Sequence, residues 1–180
     1  MKKLLIINLL LVFPLLAGQG LKSNIHSLNL SPLTMNYSYE YSYSKEGKIL
    51  SKLGLLFGGT TVVVNTDELQ WGLTPKIGLE GRYYYNLMER KNKQKNIQGN
   101  SANYLALGAN YCFDKVIIGN SDDINFDRYY SLETKWGLKR SIFKNLFYEF
   151  NIGAGVYFME SEDWKPQLGP AGTIKLGWRF

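Results

Sequence analysis

The sequence has 180 residues, a formal net charge of +6 and one cysteine, Cys112. This charge excess is too mild to indicate a nucleic-acid-binding protein, and no basic and aromatic recognition motif accompanies it. A single cysteine forms neither a disulfide framework nor a cysteine-based metal site, so we expect Cys112 to pack on an inner face. Aromatic residues make up 14% of the chain, which suits the two interfacial aromatic rings of a membrane β-barrel.

The N-terminus has the layout of a secretory signal peptide. Two lysines are followed by an apolar run over 4–16 and then by the small residues Ala17 and Gly18, which offer a cleavage point. The apolar run is shorter than the roughly 20 residues that a membrane helix needs. We expect residues 1–18 to be removed, leaving 19–180 as one domain whose net charge is +4, because +6 loses the two lysines.

Alternation of apolar and polar residues with a period of two predicts a series of β-strands. Seven strands are clear, and most of them have about 10–13 residues, which fits the roughly 9–11 residues that a tilted membrane strand needs. The stretch 22–31 alternates only roughly, and it becomes the natural eighth strand because bacterial single-chain barrels have even strand numbers. The seven clear strands are 33–43, 49–58, 72–87, 102–113, 128–140, 146–158 and 168–180.

The predicted connections alternate between two ends of the sheet. If the last strand ends on the periplasmic side, the turns at 44–48 and 141–145 are periplasmic and short. The segments 31–32, 59–70, 114–127 and 159–167 then form the extracellular side, and 59–70 is expected to protrude as a loop.

Two connections carry concentrated charge. The long basic connection over 88–100 is expected to be a solvated turn or a contact for anionic lipid headgroups. The aspartates of 114–127 match no calcium-loop pattern, so a solvated loop is the preferred interpretation there. No cofactor is predicted.

The makeup of the non-apolar face favours a membrane barrel over a soluble lipocalin-like one. This face mixes glycines, tyrosines and isolated charges, which suits the narrow interior of an eight-stranded barrel. Buried charges must be paired, so we predict a salt-bridged plug in the lumen. The residues assigned to it are Glu40, Lys52, Lys76, Glu80, Arg82, Glu133, Lys135, Lys139, Glu149, Lys175 and Arg179.

Four segments carry a family resemblance. Arg82-Tyr-Tyr-Tyr-Asn-Leu87, Gly99-Asn-Ser-Ala-Asn-Tyr104, Trp136-Gly-Leu-Lys-Arg140 and the final Gly-Trp-Arg-Phe resemble small outer-membrane β-barrel proteins of the Bacteroidetes type. The resemblance covers roughly 72–180 and implies an outer-membrane barrel domain, without catalytic or binding residues to transfer. A final strand with Trp178 and Phe180 on one face also resembles the C-terminal strand of outer-membrane barrels, which implies that these two residues are the assembly signal.

The sequence therefore predicts an all-β fold, a transmembrane up-and-down antiparallel β-barrel of eight strands. Its expected role is non-enzymatic, in envelope integrity or in surface interaction through the extracellular loops. The expected partners are outer-membrane lipid and the barrel-assembly and periplasmic chaperone machinery, with no nucleic acid and with the chain as a monomer. Three alternatives stay open: a passive channel for small solutes, a lipid-modifying enzyme and a soluble exported barrel. His26 and the loop carboxylates are the enzyme's candidate residues, but His26 and Ser27 point to opposite faces of a strand and cannot pair directly.

Overall fold

A computed structural model describes residues 24–32, 34–42, 49–63, 69–119 and 126–180, with 49–63 and 69–71 described by backbone and register alone. The predicted signal peptide lies outside the described residues. The strands are β1 (Asn24–Ser31), β2 (Thr34–Ser42), β3 (Ile49–Val63), β4 (Leu69–Tyr83), β5 (Asn103–Cys112), the short β6 (Ile118–Gly119), β7 (Tyr129–Ser141), β8 (Leu146–Met159) and β9 (Pro166–Arg179). One short helix, α1 (Leu87–Asn92), lies between β4 and β5, and a 3-10 turn spans Glu160–Glu162.

The eight long strands form a closed, up-and-down antiparallel barrel. Each pairs with its neighbour along the chain, and β1 pairs with β9 from Ser27↔Arg179 to Leu30↔Leu176, which closes the ring. The short β6 adds a small antiparallel pairing to the start of β4. The predicted all-β, up-and-down antiparallel barrel of eight strands is confirmed, and the weakly patterned stretch near position 25 is the strand that completes the barrel.

The barrel has a polar inside and an apolar outside. Alternation along each strand sends one set of side chains into the lumen and the other set outward. Arg82 and Lys139 are only 2% and 1% exposed, whereas Leu107 and Leu132 are 63% and 55% exposed. An interior just wide enough for side chains is what eight strands produce, so the inward residues must satisfy one another.

Two segment predictions are wrong. In the segment 59–70, the described residues 59–63 and 69–70 are strand: β3 runs to Val63 and β4 begins at Leu69, with paired residues from Gly59↔Leu73 to Val63↔Leu69. The cause is the β-branched run after Gly59, which favours extended backbone. The strand predicted over 72–87 starts earlier and ends at Tyr83, because residues from Tyr84 onward turn across the barrel end.

The barrel has two unlike ends. We call the end that carries 84–102, 142–145 and Phe180 the capped end. We call the end that carries the turn at 32, the segment 113–119 and the turn 160–165 the cavity end.

The barrel lumen as candidate functional site

The segment 84–102 forms a cap on the barrel, which the sequence did not predict. Helix α1 contains good helix formers, and Lys93, directly after the helix, bonds to Glu89 one turn earlier at 2.6 Å. Leu87 and Ala102 are fully buried against Tyr84 and the inward-facing Tyr104 of β5. The long basic connection is therefore a folded element with its own apolar contact to the barrel.

The turn 98–101 holds the cap to the barrel strands. Gly99 and Asn100 both have left-handed backbone, with φ of 58° and 61°. A β-carbon at Gly99 would lie 1.7 Å from the Arg179 guanidinium, so glycine is required there for two reasons. Asn100 Nδ2 donates to Glu40 Oε1 at 2.6 Å, which ties the turn to the lumen.

Arg82 is the centre of the charge network. Its guanidinium donates to both carboxylate oxygens of Glu149, at 3.0 and 2.7 Å, and to Glu80 Oε1 at 2.6 Å. The guanidinium also lies over the Tyr104 ring, 4.2 Å from the centroid. This planar, two-pronged arrangement is one that arginine makes and lysine cannot.

A second buried cation lies beside Arg82. Lys139 Nζ contacts Glu40 Oε2 at 3.1 Å and lies 4.7 Å from the centroid of the Phe147 ring. Glu40 also lies 4.0 Å from Arg82, so the two cations share this carboxylate. Together with the Asn100 contact, these bonds join the network to the cap.

The network continues toward the cavity end through lysines. Lys175 Nζ contacts Glu149 Oε1 at 2.7 Å. Lys135 Nζ lies between Glu80 and Glu133, at 2.8 and 2.9 Å. Alternating signs across this layer give each of these charges a partner, as buried charges require.

Two of the predicted lumen residues make no ion pair with another described residue, and a third is described by its backbone only. Within the described part of the chain, Lys76 makes no ion pair, and its Nζ lies 5.5 Å from the centroid of the Tyr129 ring. Arg179 also has no carboxylate partner among the described residues. Its guanidinium instead donates to the carbonyls of Lys144, Gln98 and Phe143 and to Ser141 Oγ. Lys52 is known by register alone, opposite Glu40 and Glu80.

Between the charge layer and the cavity end lies a cavity of about 440 Å³. It reaches from Arg82 and Glu80 to the turn residues Ser31 and Pro32. Cys112, predicted to face inward, is buried near it with its sulfur 3.4 Å from Thr74 Oγ1. The lumen is thus filled with paired charges at the capped end and hollow at the other.

Aromatic side chains flank an aliphatic band on the outer surface. Tyr85, Tyr148, Trp178 and Phe180 are exposed toward the capped end. Toward the cavity end, Tyr130 stacks on Phe158 and Trp164, with centroids 4.6 and 5.6 Å apart. Between the two groups lie exposed aliphatic residues: Leu28, Ile77, Leu79, Leu105, Leu107, Leu132, Ile152 and Ile174.

Other candidate residues of the sequence lie outside the lumen. His26 faces outward in β1, where its ring lies 4.9 Å from that of Tyr39 and 6.1 Å from that of Phe180. At the cavity end, Arg128 donates to Asp114 at 2.8 Å and lies 3.5 Å from Glu160. The hydrogen bond from Arg128 holds the pKa of Asp114 below its usual value. Among the described residues, no group of three or more His, Cys, Asp or Glu side chains could hold a metal ion.

The described residues contain no helix of the length and apolar character that a membrane crossing by a helix would need. No protein-family model matches the sequence, and neither a curated protein nor a solved structure is significantly similar to it.

Proposed function

We propose that the protein is an integral outer-membrane β-barrel with a closed lumen. It serves envelope integrity or surface interaction through the segments at its cavity end, and it is not an enzyme. In this proposal residues 1–18 are the export signal, and the capped end with Phe180 faces the periplasm. The proposal also takes up the resemblance to small outer-membrane barrels of the Bacteroidetes type.

The observation that carries the proposal is the distribution of polar and apolar side chains: charged residues fill the barrel and aliphatic residues cover it, the reverse of a water-soluble barrel. A water-soluble barrel buries its aliphatic residues and exposes its charges, because burial of apolar surface drives folding in water. Here Arg82, Lys139 and Glu149 are buried, while Leu107 and Leu132 are exposed. An outer band of aliphatic residues between aromatic groups is the surface that a lipid bilayer accepts.

Localisation and heat-modifiable migration test the membrane part of the proposal. We expect the wild-type protein in the outer-membrane fraction and faster migration of unheated samples on a gel. Deletion of Phe180 should reduce both, because the terminal aromatic residue is the proposed assembly signal. A soluble, heat-insensitive wild-type protein would contradict the proposal and return the chain to the soluble exported barrels.

Planar-bilayer recording separates the closed barrel from the passive channel. The bidentate pair of Arg82 with Glu149 crosses the lumen from β4 to β8, and the cap covers one end. We therefore expect no stable conductance from purified protein. Stable conductance that changes on charge reversal of Arg82 or Glu80 would establish the channel instead.

A lipid-modifying enzyme is the remaining alternative. His26 would be its base, yet in the described structure His26 lies among outward aromatic rings. The closed-barrel proposal expects unchanged membrane-lipid profiles in a His26→Ala strain and in a strain without the gene. A changed profile in both strains would support the enzyme.

A further inference from the structure

The cavity end of the lumen has the size of a small-molecule site. Its volume of about 440 Å³ lies within the range of roughly 300–1,000 Å³ that is typical of ligand pockets. Charged residues of the network form its floor, and the turn residues Ser31 and Pro32 mark its rim. The cap closes the opposite end of the barrel, so a ligand would enter and leave at the cavity end.

The described lining carries more positive than negative charge. Its cations are Lys76, Arg82, Lys135 and Lys175, and its carboxylates are Glu80 and Glu133. The net charge of the lining is therefore four minus two, or +2. Glu149, below the floor, neutralises one more charge through Arg82 and Lys175. The described groups of this region thus leave one positive charge in excess.

Among the four cations of the lining, Lys76 is the one that makes no ion pair with a described carboxylate. The described carboxylate that acts on Lys76 electrostatically is that of Glu133. Glu133 is held by Lys135 Nζ at 2.9 Å and by Ser131 Oγ at 2.8 Å. A lysine in a partly enclosed, low-dielectric cavity attracts anions more strongly than one on an open surface.

A second feature of the lining is an unpartnered acceptor. Asn151 is 3% exposed and lines the cavity, and its Oδ1 has no hydrogen-bond partner in the described structure. Its Nδ2 donates to the Tyr104 hydroxyl at 3.5 Å. Oδ1 is itself buried, and buried polar atoms are ordinarily hydrogen-bonded, so a turn of the Asn151 amide toward the cavity would let this oxygen accept a bond from a ligand hydroxyl.

The cavity wall also contains flat apolar surface. The rings of Tyr129 and Tyr157 both line the cavity, with centroids 6.3 Å apart. The Tyr157 hydroxyl donates to the Pro170 carbonyl at 2.9 Å, which fixes the orientation of that ring. Such rings offer apolar faces beside polar groups, an arrangement that suits a ligand with both C–H and hydroxyl surface.

We propose that the cavity binds a small hydroxylated organic anion, of the class of sugar acids or sugar phosphates. Its anionic group pairs with Lys76 Nζ, and one of its hydroxyls donates to Asn151 Oδ1 once that amide turns toward the cavity. This inference concerns the lumen alone, so it does not depend on where the barrel resides or on the role of its loops.

The test is calorimetric titration of the full-length, detergent-folded protein with four probes: glucuronate, glucose 6-phosphate, glucose and inorganic phosphate. We expect saturable one-to-one binding of at least one sugar anion, with glucose and inorganic phosphate at least tenfold weaker. Comparison of the two sugar anions identifies the preferred anionic group. The proposal is overturned if neither sugar anion binds, or if glucose or inorganic phosphate binds equally well.

Charge-matched variants locate the site. Lys76→Gln should weaken sugar-anion binding at least tenfold. Lys165→Gln removes the same charge from an exposed position at the cavity end and should leave binding unchanged. Equal weakening in both variants would show attraction by overall charge and would overturn the proposal.

Two further variants keep the test decisive if Lys76→Gln does not fold. Lys76→Arg retains the charge and should bind within about threefold of wild type, while Ala171→Met, at a buried cavity-lining position, should abolish binding by filling the space. Circular dichroism confirms that each variant is folded. Full binding by a folded Ala171→Met protein would exclude the cavity as the site.

Discussion

The two ends of the lumen use charged residues in opposite ways. At the capped end, Arg82, Lys139 and Glu149 are buried and engaged by partners from several strands. At the cavity end, Lys76 borders free volume and makes no ion pair within the described structure. Engaged charges hold the barrel together, whereas a charge without a protein partner is available to a ligand. The predictions below test this contrast, from the largest expected effect to the smallest.

Removal of a charge at the capped end should have the largest effect. Arg82→Met leaves the buried carboxylate of Glu149 and the half-buried one of Glu80 without their guanidinium, and breaking a buried pair in this way costs roughly 3–5 kcal/mol. Lys76→Met is the matched control at the cavity end. It should cost under about 1 kcal/mol, because no described carboxylate loses a partner.

Urea unfolding of both variants in the same micelles measures this difference. Equal free energies of unfolding for Arg82→Met and Lys76→Met would show that the two ends do not differ in the way proposed.

The cap turn provides the next test. Gly99→Ala places a β-carbon in left-handed backbone and against the Arg179 guanidinium, whose bonds to Gln98 and Ser141 must then shift. We expect a loss of about 1–3 kcal/mol in the free energy of unfolding. Gly108→Ala, where the new atom would meet its neighbours no closer than 3.6 Å, should change it by less than about 0.5 kcal/mol. A similar loss in both variants would mean that any methyl group in the lumen is harmful and that the cap turn has no special requirement.

The exposed ion pair at the cavity end should have the smallest effect. Arg128 lowers the pKa of Asp114, chiefly through its hydrogen bond. A carboxyl whose pKa is lower in the folded state stabilises the fold above its unfolded pKa, and this contribution is lost as the pH falls through the folded pKa. An exposed, solvent-screened pair contributes little, so acid unfolding should depend only weakly on it.

NMR titration of the Asp114 carboxyl checks the sign of this shift. We expect a midpoint below the usual 3.8 in wild type and an increase toward that value in Arg128→Gln. An unchanged midpoint in Arg128→Gln would assign the shift to another cause.

Local patterns were sufficient to predict most of the barrel. The predicted strands 33–43 and 146–158 differ from β2 and β8 by about one residue at their ends. They could be predicted because the alternation of apolar and polar residues with a period of two is visible in the sequence itself. The inward assignment of Glu40, Arg82 and Glu149 follows from the same alternation, and all three are buried. The extent of β3 was underestimated, since the polar residues beyond Val63 obscured where pairing stops.

The cap and the cavity were not predictable in the same way. Both depend on contacts between residues far apart in the chain, such as Asn100 with Glu40 and Arg82 with Glu149, which are 60 and 67 positions apart. The Gly99-Asn100 pair in the basic segment could have indicated a left-handed turn. No local sequence feature, however, indicates which end of the barrel that turn covers.

The sequence by itself determined the class of fold and the two faces of its strands, since strand alternation is a local property. Only the tertiary structure decided which inward charges meet, because pairing across the lumen depends on strand register and barrel closure. The tertiary structure therefore decided that the ion pairs of Arg82 fill the lumen near the capped end and that Lys76 borders a cavity at the other end. It also decided that Arg179 bonds to carbonyls of neighbouring turns.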